Sequence, residues 1–298
     1  MEKVNYYSLN KYLHDRFGCK VYKIAINGGF TCPNRDGKID TRGCIFCSKG
    51  GSGEFASDAV LPINEQIKKA KELISSKLPI NEDVKYIAYF QAYTNTYGEP
   101  SLLREKYLEA IEDKDVVAIS IATRPDCLDD NILKVLEEIN AIKPVWVELG
   151  LQTSSEETAN YIRRGYALSV YDEAVKSLRK LGIEVITHVI IGLPGESLQD
   201  MLSTVSHAVS VGTNGIKLQL LHVLKNTDLE KEYKAGKVNI LSMEEYIHIV
   251  TECLKIIPKD VVVHRLTGDG DKKILLAPLW SADKKRVLNE LKKYAEPL

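Results

Sequence analysis

Three cysteines, Cys32, Cys44 and Cys47, fall in the stretch GGFTCPNRDGKIDTRGCIFC, which runs from Gly28 to Cys47. Their pattern is C-x11-C-x2-C. The close pair Cys44 and Cys47 can chelate one centre, and Cys32 can come round from the end of the preceding apolar run. Thiolates on such a Gly/Pro/Asp loop suit zinc or an iron–sulfur cluster, and plain structural thiols are a third reading. Closed zinc sites take four ligands, so a histidine or one of the remote cysteines Cys19, Cys127 and Cys253 would have to join. A cluster held by three thiolates leaves one iron open, and an open iron can bind a small chelating ligand such as an amino-carboxylate. Spacing alone leaves these alternatives standing.

The elements that must position this loop are legible from periodicity. Apolar, β-rich runs recur at Val21–Ile26, Lys85–Gln91, Val116–Thr123, Val145–Thr153, Glu184–Gly192 and Gly215–Val223. Most are continuous rather than alternating, as in parallel strands covered on both faces. Between them lie stretches with helical spacing, such as LDDNILKVLEEINA and SVYDEAVKSLRKLG, and Gly182 and Gly212 stand where helices would stop. This βα rhythm, with a further short strand at Val261–Arg265, predicts an α/β fold: a partial (β/α)6 barrel of parallel strands with a short C-terminal extension. The expected division is a barrel over 1–225, carrying the cysteine loop at 28–50, and an extension over 226–298 that packs on the barrel and helps close the site. The cysteine loop follows the first strand, at the end where barrels place their chemistry.

Bulk composition narrows the function classes. The chain has 298 residues, 44% of them apolar and 27% charged, enough for a sizeable core. Its 40 basic and 41 acidic residues leave no basic footprint for a phosphate backbone, so nucleic acid is not the expected partner. No apolar run approaches the ~20 residues that cross a bilayer, and the N-terminus has no signal-peptide core. A cytoplasmic location is expected, where cysteines bind metal or stay buried rather than pair.

The segment Cys44-Ile45-Phe46-Cys47 after a first strand, ahead of a six-unit barrel, resembles the radical S-adenosylmethionine superfamily, over about Val21 to Val223. The C-x11 spacing departs from that superfamily's majority pattern and resembles its "CPNRDG" subgroup. The resemblance implies that Cys32, Cys44 and Cys47 hold a 4Fe–4S cluster. It also implies that the open iron takes S-adenosylmethionine, and that one electron releases a 5′-deoxyadenosyl radical. ELGLQT resembles the elongator and coproporphyrinogen-oxidase-like branch. It implies Glu148 at the cofactor ribose, with Gln152 on the same strand face; a buried ion pair is the competing reading of Glu148. Arg164, in Arg-Arg-Gly-Tyr, would face the cofactor carboxylate, and Gly192, in HVIIGLPGES, would let backbone approach the adenine. The family's Gly-Gly-Glu-Pro, which receives the methionine amine, corresponds here to AYTNTYGEP (Ala92–Pro100), so that either Gly98–Glu99 is a displaced copy or Thr94 and Asn95 take that role. Phe46, His188 and Leu221 complete the expected cofactor contacts.

Polar residues at strand ends are the substrate candidates: Gln91, Tyr93, Arg124, Asp126, Gln219 and His222, joined by His264, Arg265 and Asp269 of the loop HRLTGDG. They suit a polar, nitrogen-rich small molecule. The combination of CPNRDG, RLTGDG and LLAP resembles a bacterial subgroup with one branch of queuine lyases, which release 7-aminomethyl-7-deazaguanine from the free base. Asp126 or Asp269 would pair the cationic amine. A deazaguanine base is therefore the expected substrate, with flavodoxin or ferredoxin as electron donor. The alternatives are a tRNA-modifying radical enzyme and a non-catalytic zinc- or cluster-binding module.

Overall fold

The computed structural model describes the chain except for residues 1–2, 52, 54–55, 57, 76–83 and 269. At its centre is an all-parallel, seven-stranded sheet whose strands follow chain order. They are β1 (Lys20–Ile26), β2 (Val84–Phe90), β3 (Val116–Thr123), β4 (Val145–Gln152), β5 (Glu184–Ile191), β6 (Gly215–Leu220) and β7 (Val262–Arg265). Parallel neighbours need long crossovers, and helices supply them. The helix Asp130–Ile142 shows why these segments fold so: Ile132, Val135, Leu136 and Ile139 form one apolar stripe, and the Asp129 carboxylate caps the amides of Asn131 and Ile132. Because the strand order never reverses, the sheet curls one way into an open half-barrel. Its seventh strand comes from the C-terminal stretch, so the expected extension completes the sheet rather than only packing on it.

Helix α1 (Leu9–Phe17) contacts both edge strands, β1 and β7. Ser8, just before it, bridges in parallel to Val263, and the Ser8 hydroxyl caps the helix at the amide of Lys11. Two short pairings lay the C-terminal stretch on the barrel: Leu275–Ala277 runs antiparallel to Val223–Leu224, and Ala295–Pro297 runs parallel to Val4–Tyr6.

Side chains alternate along each strand, and this sorts the barrel into layers. The convex face carries residues such as Ile24, Phe90, Ile121, Val147 and Val189, which form the main core under the helices. On the concave face Val21, Ile87, Ala118, Trp146 and Ile186 meet Leu13 of α1 in a separate apolar plug. Two residues further along the same strands stand Lys23, Tyr89, Ser120, Glu148 and His188, a polar tier. Two further again, Ala25, Gln91, Ala122, Gly150 and Ile190 line an open cavity.

Trp146 is fully buried in the plug. Trp146→Ala should lower stability by ~3–5 kcal/mol in chemical denaturation. A loss below ~1 kcal/mol would show that the plug does not hold the closed end of the barrel.

Candidate active site on the concave face

The cysteine loop lies over the carboxyl ends of β1 to β4, and Cys32, Cys44 and Cys47 line the same cavity, of about 910 Å³. Backbone turns fold the loop: the amides of Arg35 and Asp36 bond to the Cys32 carbonyl, and the amide of Cys47 to that of Cys44. Asn34 is buried under it and donates through Nδ2 to the Arg163 carbonyl at 2.6 Å and to Cys44 Sγ at 3.5 Å. Arg35 grips the Cys47 and Ser48 carbonyls at 3.0 and 2.5 Å. Arg163 bonds to the Gly43 carbonyl and to Asp228, each within 3 Å, which ties the loop to the C-terminal stretch. The Cys47 thiol, together with Arg124, Asn34 and Arg35, pulls the Cys44 thiol down to about 7 against the effect of burial. A thiolate is therefore favoured at Cys44.

Beneath the loop, Glu148 sits in the polar tier at 1% exposure. Its Oε1 accepts from Lys23 Nζ at 2.5 Å and Ser120 Oγ at 2.8 Å; its Oε2 accepts from His188 Nε2 at 2.7 Å and from Lys217. Four donors fill the carboxylate, so the buried ion-pair reading describes this residue, and no lone pair remains for a ribose hydroxyl. Burial opposes its charge, but Lys217, Lys23 and His188 hold it well below the usual carboxylate range. Gln219 Nε2 lies 3.0 Å from His188 Nδ1, which fixes the imidazole with its proton on Nε2. Burial and the nearby Lys217 and Arg265 cations depress His188 to about 4 despite Glu148. Burial, Lys23 and Arg265 depress Lys217 to about 7.

Most of the expected residues reach the cavity. Phe46, Gln91, Tyr93, Thr94, Arg124, Gln152, Arg164, Gln219, Leu221, His222, His264 and Arg265 all line it, with Glu148 and His188 at its floor. Asn95, Asp126 and Gly192 stand off the lining. Asn95 is buried and staples strand ends, donating to the Phe90 and Ala122 carbonyls. Asp126 holds Arg124 in a two-pronged pair at 2.9 and 2.8 Å. Gly192 has φ +88°, a left-handed conformation that favours glycine, and a Cβ there would also meet the Leu241 side chain at 2.8 Å. Gly268 and Gly270 likewise make room for the His222 ring, which a Cβ would approach at 2.8 and 3.2 Å. Asp269 lies outside the described residues. Arg164 is reached from the cavity, but its donors already bind the carbonyls of Leu151, Thr153 and Tyr166. Lys23, Lys217, Ser120 and Asn34 were not singled out from the sequence. A lysine inside VYKIAI or GIKLQLL carries the same signal that marked Glu148, a charge in an apolar strand that needs a partner.

The family model described as the radical SAM superfamily matches residues 32–208, and its C-terminal domain model matches 213–296. The uncharacterized protein YtqA of Bacillus subtilis is 45% identical over 98% of this chain and 89% of its own length. YhcC of Escherichia coli is 37% identical over 94% and 88%. This chain belongs to the radical S-adenosylmethionine superfamily. Among solved structures, the archaeal Methanocaldococcus infernus Elp3 superposes with a TM-score of 0.67 at 18% identity, over 92% of this chain and 63% of that one, so the two share this fold.

Radical S-adenosylmethionine enzymes use a 4Fe–4S cluster and S-adenosylmethionine, and the donor set here fits them. Three soft thiols face one cavity, one of them favoured as thiolate, with an amide N–H on its sulfur. Among the described residues no three His, Cys, Asp or Glu groups converge as ligands of a single ion. A cubane asks for less convergence, because each thiolate binds a different iron.

Glu148→Ala should cost ~3–5 kcal/mol in denaturation, because it strands two ammonium groups, while Glu148→Gln should cost clearly less. Equal losses would mean that the negative charge alone, and neither the volume nor the remaining amide oxygen, carries the stabilisation. His188 should stay neutral in the folded protein from pH 7 to 5, read by NMR of the ring nitrogens. Its folded pKa lies below the unfolded value, so its contribution to stability is present above pH ~6.5 and lost as the pH falls towards 4.

Proposed function

We propose that this chain generates a 5′-deoxyadenosyl radical and applies it to a free small molecule held against the concave face. The observation that carries this reading is the single cavity that joins the three cysteines to a polar floor. Its volume of about 910 Å³ accommodates a nucleoside-type cofactor and one further small ligand. Small-molecule sites run to ~1,000 Å³. When bound, the cluster and S-adenosylmethionine supply the electron and the hydrogen-abstracting radical. The chain's own residues do the rest. Arg35, Asn34 and Arg163 fix the loop, the apolar plug lies under the polar tier, and Glu148, Lys23, Lys217 and His188 form that tier as one hydrogen-bonded network. A soluble donor such as flavodoxin or ferredoxin would deliver the electron, and cytoplasmic chemistry of this kind needs no membrane; no described helix is long and apolar enough to cross one.

Queuine cleavage is the finer reading, and it rests on the resemblance to the lyase-containing subgroup. Its cationic amine calls for an open carboxylate. Glu148 is filled and Asp126 holds Arg124, which leaves Asp271 on the described lining. Modification of a tRNA base is the second reading, since relatives with that chemistry share the branch through the elongator-like fold.

The anaerobically reconstituted protein should carry four irons per chain, and Cys44→Ser should lose most of them. With reductant and S-adenosylmethionine, queuine and related deazapurines should be screened for 5′-deoxyadenosine release alongside bulk tRNA. Release with a free small molecule and none with tRNA is expected; release with tRNA alone would overturn the small-molecule reading. A colourless protein with one zinc would overturn the enzyme reading itself.

A further inference from the structure

The charges on the cavity wall are unevenly shared. The whole chain balances 40 basic residues with 41 acidic ones. Arg35, Arg124 and Arg164 lie on the cysteine side. Arg35 grips the Cys47 and Ser48 carbonyls, Arg124 is paired with Asp126, and Arg164 is tied to backbone carbonyls. The opposite wall, from β1 and β6, presents Lys23 and Lys217 with Glu148 as their shared acid, while Arg265 and Lys284, which also line it, have partners of their own. Asp271, the other described acid on the lining, turns back to the amide of Lys273 at 3.0 Å.

The hydrogen bonds at the floor show what this wall still has to give. Glu148 has no acceptor capacity left, as described above. An ammonium carries three N–H groups. Lys23 places two, on Glu148 and on Ser120 Oγ at 3.1 Å, and Lys217 places two, on Glu148 and on Tyr89 Oη at 3.3 Å. Among the described hydrogen bonds neither lysine has a third acceptor; Lys23 also lies over the rings of Tyr89 and Trp146 at 4.9 and 5.1 Å and Lys217 over Tyr89 at 4.7 Å, and both line the cavity. Even with Arg265 left aside, two ammonium groups share one carboxylate in a buried setting. A net positive charge removed from water calls for a counter-ion.

We propose that the substrate carries an anionic group, a carboxylate or a phosphate, which docks on the ammonium pair Lys23 and Lys217 at the floor of the cavity. This inference rests on the reading of the site as a small-molecule radical enzyme, and it points away from a purely cationic substrate such as queuine. The depression of Lys217 to about 7 has the same origin, since burial and neighbouring cations disfavour its charge and an anion in contact would restore it. The arrangement also keeps the anion at the floor, below the tier of Gln91, Gly150 and Gln219, so the rest of the substrate would extend upward to the cysteine side.

The test uses the full chain with its cluster and S-adenosylmethionine in place, titrated at low ionic strength with inorganic phosphate and, separately, with succinate. Binding of at least one of them is expected, and the tighter of the two names the class. Lys217→Met should weaken that binding at least tenfold, with iron content and affinity for S-adenosylmethionine unchanged. Glu148 keeps Lys23, Ser120 and His188 in this variant, so the fold retains its centre. If Lys217→Met nevertheless loses its iron, Lys217→Arg, which keeps the charge, should bind the anion within a few-fold of the parent. Failure of the loaded protein to bind either anion, or equal binding by Lys217→Met, would overturn the inference. Failure of the parent chain to hold cluster or S-adenosylmethionine would instead overturn the reading beneath it.

Discussion

One buried carboxylate organises the concave face. Glu148 on β4 is reached by Lys23 from β1, Ser120 from β3, His188 from β5 and Lys217 from β6. Adjacent parallel strands are joined by their ladders, but β1 and β6 are far apart in the sheet order, and the Glu148 network links them across the interior. The curl of an open sheet is not fixed by closure as in a full barrel. Here ionic contacts across the hollow and the apolar plug beneath them supply that constraint. Both depend on a dry setting: the charges attract strongly because water is excluded, and each would be a liability if its partner were removed.

The cysteine loop is held by a different kind of contact. Its residues make turns and backbone-directed bonds from Asn34, Arg35 and Arg163, and few buried apolar contacts. A long loop without secondary structure keeps its shape only when its polar groups are paired. The Arg163 guanidinium joins Gly43 of the loop to Asp228, so the loop's position depends on the C-terminal stretch as well as on the strand it follows. The Tyr166 ring lies between Arg124 and Arg164, each guanidinium 4.9 Å from its centroid, and so braces the β4 end opposite the cysteines.

The two halves of the site carry opposite electrostatic duties. On the cysteine side, cations and N–H donors favour thiolate. On the floor, lysines outnumber the carboxylate they bind. A cavity built this way separates a region that holds negative sulfur from a region that welcomes a negative ligand, with a neutral tier of Ala25, Gln91, Ala122, Gly150 and Ile190 between them.

The sequence by itself determined the strand runs, the parallel rhythm, the three cysteines and the isolated glutamate, because periodicity and the cost of burying charge are local properties of a chain. It marked Gly192 as a point of backbone approach and did not single out Gly268 or Gly270; a left-handed φ calls for the first, and the His222 ring, from elsewhere in the chain, crowds the other two. It offered Asn95 and Asp126 as ligands, because residue type cannot say whether a side chain faces the hollow or a neighbouring strand end. Only the tertiary structure decided that Glu148 is shared by Lys23 and Lys217, residues 125 and 69 positions away. Partner choice across a curled sheet depends on shear and curvature, which no single strand encodes.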